Sequence, residues 1–187
     1  MQKIATKHPD VWELVPDFHP DERGFFMETY HQQKLADLDI RDVFVQDNHS
    51  QSQRNTLRGL HYQLEHPQAK ICRVIAGSVL DVAVDLRLGS DYFGRYVSLR
   101  LSAEERNQIY IPAGFAHGFI ALTDVTQFVY KCSAFYDKDD EYGIIWDDPD
   151  IGIEWGLDFP VISDKDNGFP SLRSRREAGE LPEYRGT

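Results

Sequence analysis

An alternation of apolar and polar residues with a period of two is the feature that most constrains the fold. In one run the apolar residues Val82, Val84 and Leu86 alternate with the acidic residues Asp81 and Asp85. An amphipathic helix would repeat its apolar residues about every 3.6 positions, whereas a period of two is typical of a half-buried strand. The run therefore predicts a β-strand with one apolar face.

Other short apolar runs are separated by turn residues, among them Gly77, Gly89 and Gly114. Strands at this spacing predict an all-β sandwich or barrel with a few short peripheral helices. The length favours a single domain over residues 1–187. The further strand candidates are Tyr96–Leu101, Gln108–Ile111, Phe119–Leu122 and Thr126–Cys132.

Two segments do not follow the strand pattern. The short polar stretch His31–Asp39 is the best helical candidate. Residues 171–187 are highly charged, which favours a surface helix or a loose tail, and we assign this segment no role.

The composition limits the partners of the chain. Acidic residues outnumber basic ones by 31 to 20, which gives a formal net charge of −11. This charge argues against binding to nucleic acid or to a membrane, although a local arginine cluster could hold a small phosphorylated ligand. The two cysteines, Cys72 and Cys132, are too few for a disulfide framework and favour a reducing compartment. Since the N-terminus has no apolar signal core, we expect a cytoplasmic protein.

A single histidine, His61, lies inside the strand-like run Leu57–Gln63. Arg58 precedes it by three residues, and Lys70 follows it by nine. Histidine titrates near neutral pH and is a common general base. A base beside two fixed cations predicts an anionic substrate that loses a proton, with a buried structural histidine as the alternative.

A second histidine, His117, ends the run Pro112–His117, whose P-x-G-x-x-H spacing matches the second motif of cupin-type barrels. The alternative is a histidine whose hydrogen bonds are satisfied within a β-turn. Metal-binding cupins carry another histidine where this chain has Gln63. Because His61 and His117 alone are too few ligands for catalytic zinc or iron, we predict no catalytic metal.

A series of segments matches one family in order over residues 21–166. Each segment is weak alone, but together they resemble the RmlC-type family of dTDP-4-dehydrorhamnose 3,5-epimerases. The chain departs from the pattern at Cys72, where an apolar residue is common, and we expect only local repacking there. The segments are Asp21–Phe26, Val45–Ser50, Leu57–Gln63, Gln68–Lys70, Gly77–Arg87, Pro112–Phe119, Tyr130–Lys131, Glu141–Trp146, Ile151–Trp155 and Ser163–Asp166.

The resemblance implies a double-stranded β-helix, or cupin-like jelly roll. It also implies a homodimer in which strands within residues 1–30 contribute to the interface. The implied reaction inverts C3 and C5 of a dTDP-linked 4-keto-6-deoxyhexose, without metal or cofactor, to make dTDP-L-rhamnose for a surface polysaccharide.

The resemblance also implies roles for four catalytic residues. His61 would be the base, with Asp166 orienting its ring and stabilising the imidazolium. Lys70 would stabilise the enolate oxygen, and Tyr130 would return a proton to the opposite face. We expect nearby cations to make Tyr130 a better proton donor. The substrate-binding residues implied are Arg23, Glu28, Gln46, Asn48, Arg58, His117, Tyr136, Glu141 and Lys165.

Three other functions compete with the double epimerase. A related sugar-nucleotide epimerase acting at C3 or C5 alone would use the same histidine and tyrosine. A noncatalytic sugar-nucleotide-binding cupin is disfavoured by the combination of His61, Lys70, Tyr130 and Asp166. A metal-dependent cupin oxygenase is disfavoured by the missing metal ligands.

Overall fold

The computed structural model describes residues 1–184, which consist mainly of antiparallel strands with three short helices. The helices are α1 (Gln32–Ala36), α2 (Asp164–Asn167) and α3 (Leu172–Glu177). The strands are β1 (Gln2–Ala5), β2 (Trp12–Val15), β3 (Phe18–Asp21), β4 (Gly24–Met27), β5 (Gln46–Ser52), β6 (Leu57–Gln63), β7 (Lys70–Ala76), β8 (Ser78–Asp85), β9 (Tyr96–Ser102), β10 (Gln108–Ile111), β11 (Phe115–Ala121), β12 (Thr126–Cys132) and β13 (Glu141–Gly143).

Two large sheets form the body of the protein. One sheet has the strand order β1-β2-β10-β7-β12-β5, and the other has the order β13-β6-β11-β8-β9. The remaining strands, β3 and β4, form a separate hairpin. The prediction of an all-β fold with a few short helices is confirmed. None of the helices in the described part of the chain is long and apolar enough to span a membrane.

Apolar side chains from both sheets fill the space between them. Phe119 of β11 stacks on Phe128 of β12, with ring centroids 4.2 Å apart. Val79 and Ala83 of β8 belong to the same buried cluster, as does Ile109 of β10. Burying a large apolar side chain contributes about 1.5–3 kcal/mol, so this cluster is a main source of attraction between the sheets.

Strand β8 differs from the sequence expectation of a single apolar face. Its apolar residues Val82 and Val84 face outward but are buried beneath the C-terminal segment, in a cluster with Trp155. The alternating acids Asp81 and Asp85 are also completely buried. The prediction was incomplete because the covering segment lies far away in sequence, so the local pattern could not indicate that both faces are buried.

A close approach of two glycines positions the two histidines predicted from the motifs. Gly59 of β6 has a φ of +114°, and an ideal Cβ there would lie 2.6 Å from the Cα of Gly118 in β11. A side chain at Gly59 would therefore force these strands apart. In the resulting register His61 lies directly opposite His117.

The helices agree broadly with the sequence expectations. Helix α1 lies within His31–Asp39, and the His31 ring caps it by accepting a hydrogen bond from the Lys34 amide. The charged C-terminal segment contains α3, which confirms a surface helix there. Leu172 and Leu181 are buried, so the segment is packed against the sheet as far as residue 184. The end of the predicted tail, residues 185–187, lies outside the described residues.

Candidate active site

A pocket of about 360 Å³ lies between the two sheets and contains most of the predicted site residues. Strand β6 supplies Arg58 and His61, and β11 supplies His117. The opposite sheet supplies Lys70 from β7 and Tyr130 from β12. The pocket is lined by Arg58, His61, Lys70, His117, Tyr130, Tyr136, Glu141, Lys165 and Asp166, together with Ser50, Gly118, Phe119, Phe128 and Ser163.

His61 and Asp166 form a hydrogen-bonded pair, with 2.9 Å between Nε2 of the ring and Oδ1 of the carboxylate. The other carboxylate oxygen accepts a hydrogen bond from the Gly59 amide. Burial raises the pKa of Asp166, but the hydrogen bonds and charge of His61 and the amide of Gly59 outweigh it, and the pKa is lowered overall. The ionised carboxylate holds the proton on Nε2, which leaves the lone pair of the neutral ring on Nδ1.

Lys70 brings a buried positive charge to the same pocket. Its residue surface is only 8% exposed, and it makes no ion pair with a carboxylate among residues 1–184. A buried charge is costly unless it is paired. An anionic group entering the pocket would supply the missing partner.

Tyr130 lies near Lys70, whose Nζ is 6.0 Å from the centre of the tyrosine ring. The expectation that nearby cations make Tyr130 a stronger acid left out burial, which outweighs the effect of the cation. Burial raises the pKa of Tyr130 well above its ordinary value, and Arg58 lowers it only slightly. The phenol therefore keeps its proton across the neutral range and can serve as a proton donor.

His117 forms a second pair with a carboxylate. Its Nε2 lies 2.9 and 3.0 Å from the two carboxylate oxygens of Asp81. The thiol of Cys72 lies 3.8 Å from the same nitrogen. No residue in 1–184 hydrogen-bonds to Nδ1 of His117, and the ring lines the pocket, so this nitrogen is available to a ligand.

Polar residues at the mouth of the pocket form a connected network. Glu141 binds both Lys165 and the Tyr136 hydroxyl, which donates at 2.7 Å. This contact raises the pKa of Tyr136 to about 12. The Gln46 side chain accepts from the Tyr136 amide and donates to Asn48, which lies on the same face of β5. The network fixes the aromatic ring of Tyr136 at the entrance.

Comparison with known proteins identifies the family. The family model described as dTDP-4-dehydrorhamnose 3,5-epimerase matches residues 5–174. A dTDP-4-dehydrorhamnose 3,5-epimerase from Shigella flexneri is 51% identical over 168 residues, covering 89% of this chain and 93% of the relative. The chain belongs to the dTDP-4-dehydrorhamnose 3,5-epimerase family. The resemblance drawn from the sequence motifs is therefore confirmed.

Solved structures of sugar-nucleotide epimerases confirm the jelly-roll fold. A dTDP-6-deoxy-D-glucose-3,5-epimerase from Legionella pneumophila, bound to dTDP-4-keto-L-rhamnose, has a TM-score of 0.95 and 43% identity, covering 99% of both chains. The 3'-monoepimerase ChmJ from Streptomyces bikiniensis, bound to dTDP-quinovose, has a TM-score of 0.89 and 34% identity, covering 98% of this chain and 93% of ChmJ. The fold is thus shared by family members with different regiochemistry.

The pocket of this family member does not include Arg23 or Glu28 from its own chain. The side chain of Arg23 is 85% exposed at the tip of the β3–β4 hairpin and pairs with Asp21. Glu28 follows the hairpin and pairs with Lys34 of α1. A single chain therefore does not bring these two predicted binding residues to the pocket.

Three residues near the pocket were missed as site residues by the sequence reasoning. The Ser50 hydroxyl is buried and makes no hydrogen bond within residues 1–184. Ser50 lies within Val45–Ser50, one of the segments that carry the family resemblance. The alternation in the sequence had placed Asp81 on the polar face of its strand. Cys72 does more than repack the strand, because its thiol contacts His117 across the space between the sheets. A local pattern carries no signal for such a contact.

Proposed function

We propose that this protein inverts C3 and C5 of dTDP-4-keto-6-deoxy-D-glucose, giving dTDP-4-keto-L-rhamnose. The observation that carries the proposal is the placement of a histidine–aspartate pair and a tyrosine on opposite walls of one pocket. His61, paired with Asp166, comes from one sheet, and Tyr130 comes from the other, next to Lys70, which has no ion-pair partner among residues 1–184. The bound dTDP-4-keto-L-rhamnose in the Legionella relative supports this substrate class.

His61 is the base of the proposed reaction. C3 and C5 both flank the C4 ketone, so a proton removed from either carbon leaves a negative charge that spreads onto the ketone oxygen. Nδ1 of His61 carries the lone pair that takes the proton, because Nε2–H is held by Asp166. The ionised Asp166 then stabilises the imidazolium, and general-base catalysis of this kind contributes about 10²–10⁴-fold.

Lys70 and Tyr130 complete the chemistry. The Lys70 ammonium stabilises the enolate oxygen, whose negative charge supplies the partner that the buried lysine otherwise lacks. Tyr130 donates a proton to the face opposite His61, which inverts the carbon. Arg58, which makes no ion pair with a carboxylate in residues 1–184, suits the diphosphate through its forked donors.

Replacement of Tyr130 separates proton removal from inversion. In Tyr130→Phe the base is intact, so deuterium from the solvent should still enter the recovered substrate, whereas inversion should fall by about 10²-fold or more. NMR of the recovered sugar and of the product measures the two rates. An equal loss of both rates would contradict the role of Tyr130 as the acid.

The proposed reaction requires neither a metal nor a cofactor, since the ketone itself acidifies the neighbouring carbons. Activity should therefore be unchanged after exhaustive chelation and desalting, as measured by the initial rate before and after treatment. Loss of activity that zinc or iron restores would favour the metal-dependent alternative.

We also propose a homodimer whose β3–β4 hairpin reaches the site of the partner subunit. The hairpin pairs with neither large sheet and exposes Phe25 and Phe26. Arg23 and Glu28, which the family pattern assigns to the substrate, lie on or next to it. Exposed aromatic residues of this kind are typical of an interaction surface.

A mixing experiment tests the proposed dimer. Co-expressed His61→Asn and Arg23→Ala chains should recover part of the activity that each variant lacks alone, because a mixed dimer holds one site with both native residues. Light scattering should give twice the chain mass. A monomeric mass, or a mixed preparation without recovered activity, would contradict the exchange of binding residues.

We propose that the enzyme works in the cytoplasm, where it supplies L-rhamnose for a surface polysaccharide. The two buried thiols, Cys72 and Cys132, are free, as expected for a reducing compartment. Cell fractionation with an antibody against the chain would test this location.

A second candidate function is epimerisation at one carbon only. The likeness to the monoepimerase ChmJ specifically favours keeping this alternative. Incubation with dTDP-4-keto-6-deoxy-D-glucose in deuterated water, followed by NMR, distinguishes the two functions. Deuterium at both C3 and C5 supports the double epimerase, label at one carbon selects the alternative, and no label at either contradicts both.

A further inference from the structure

A cluster of potential metal ligands lies behind the pocket wall formed by His117. It comprises the Cys72 thiol, the Asp81 carboxylate and Nε2 of His117, which are all buried and lie within 4.8 Å of one another. Cys72 comes from the six-stranded sheet, while Asp81 and His117 come from the five-stranded sheet. The cluster therefore spans the space between the sheets.

The distances in the cluster suit a small tetrahedral cation. The Cys72 sulfur is 3.8 Å from Nε2 of His117, and the Asp81 oxygens are 2.9 and 3.0 Å from that nitrogen. Zinc bonds of about 2.0–2.3 Å in a tetrahedral site separate neighbouring ligand atoms by about 3.3–3.7 Å. Shifts of a few tenths of an ångström would bring both contacts of His117 to these separations, and the Cys72 sulfur lies within 4.8 Å of the Asp81 carboxylate.

The charges in the cluster also suit a divalent cation. A thiolate and a carboxylate together carry two negative charges, which Zn²⁺ neutralises, and a neutral cluster is less costly to bury than an isolated ion. Thiolate and imidazole ligands together favour zinc over magnesium or calcium. Binding would release the thiol proton of Cys72 to solvent and move the proton of a neutral His117 ring from Nε2 to Nδ1.

We propose that Cys72, Asp81 and His117 form an inhibitory site for Zn²⁺ or a similar thiophilic divalent cation. The fourth ligand is water. Metal binding draws His117 toward Asp81 and Cys72 and changes Nδ1, the nitrogen that the ring presents to the pocket, from a hydrogen-bond acceptor to a donor. The inhibition rests on the proposed function and on the substrate contact that the family resemblance implies for His117, whereas the metal site itself rests on neither.

Cobalt(II) provides a direct test of the site without any substrate. Titration of the metal-free protein should give a thiolate-to-cobalt charge-transfer band in the near ultraviolet, saturating at one cobalt per chain and removed by added zinc. Cys72→Ser should abolish the band. Cys132→Ser is the matched control, since it removes the other buried thiol, and it should keep the band. No band in the wild type, or equal loss in both variants, would overturn the site.

The inhibition has its own test with Zn²⁺ in a buffer free of chelators. The initial epimerisation rate of the wild type and of Cys132→Ser should fall at least about 10-fold at saturating zinc, and the rate of Cys72→Ser should change less than twofold. Equal inhibition of the two variants, or a cobalt band without inhibition, would overturn the inhibitory role. If the sugar substrate is not turned over at all, the proposed function fails, while the cobalt titration still decides the metal site.

Discussion

Two histidine–aspartate pairs lie side by side in this protein and differ mainly in their surroundings. The His61–Asp166 and His117–Asp81 pairs have the same separation of 2.9 Å, and the two histidines are opposite each other in the paired strands β6 and β11. The side chain of His61 is 30% exposed and that of Asp166 is 8% exposed. The corresponding values for His117 and Asp81 are 7% and 0%.

The difference in exposure supports our proposal that His61–Asp166 transfers the proton and that His117–Asp81 serves in binding. His61 is open to the pocket, and its carboxylate also accepts an amide hydrogen bond, so the ring can take up a proton and be stabilised as an imidazolium. His117 is enclosed, with both oxygens of Asp81 close to a single nitrogen. The same two residue types therefore differ in their access to the pocket, and the proposed roles follow this difference.

Asp166→Asn should cause the largest loss among substitutions of the two carboxylates. The amide keeps the shape of the side chain but no longer stabilises the imidazolium, so we expect kcat to fall about 10²-fold with little change in KM. Steady-state kinetics measure the split. A variant with normal kcat would show that the His61–Asp166 pair does not perform the proton transfer.

Asp81→Asn should reduce kcat less than Asp166→Asn does, and its main effect should be on the free energy of unfolding. The change weakens the buried contact with His117, so we expect unfolding to become easier by about 1–3 kcal/mol and KM to rise several-fold. Urea unfolding and steady-state kinetics provide the two values. A fall in kcat as large as that of Asp166→Asn, at unchanged stability, would erase the distinction between the pairs.

Lowering the pH should reduce the free energy of unfolding through protonation of Asp166. We expect this effect to be smaller than the kinetic effects of the two substitutions. The pKa of Asp166 is lower in the folded chain than the value of about 3.9 expected when unfolded. Its stabilising contribution is thus fully present above about pH 4 and is lost as the pH falls through the folded pKa. Urea unfolding between pH 6 and pH 3 should show a shallower decline for Asp166→Asn than for the wild type.

The exposed Asp158 offers a matched control for the acid experiment, because it lies outside the pocket. Asp158→Asn should follow the decline of the wild type. A decline in Asp166→Asn as steep as in the wild type would contradict the link between this carboxylate and acid stability.

Local sequence patterns predicted the strands and both histidines, because each depends on alternation or on a turn motif within a few residues. They did not predict that Asp81 is fully buried, since its side chain faces the opposite sheet, whose Cys72 lies beside it. They also carried no signal for the burial of Tyr130, which raises its pKa more than Arg58 lowers it. The contact between Cys72 and His117 likewise joins strands of different sheets.

The most direct test of the different roles proposed for the two histidine–aspartate pairs is deuterium incorporation by His61→Asn and His117→Asn at saturating substrate. Asparagine is smaller than histidine but keeps a polar side chain in both places, so the variants are matched. The account predicts that His61→Asn loses exchange at both C3 and C5, whereas His117→Asn keeps exchange within about 10-fold of the wild type and shows a raised KM. Normal exchange in His61→Asn, or complete loss in His117→Asn alone, would contradict it.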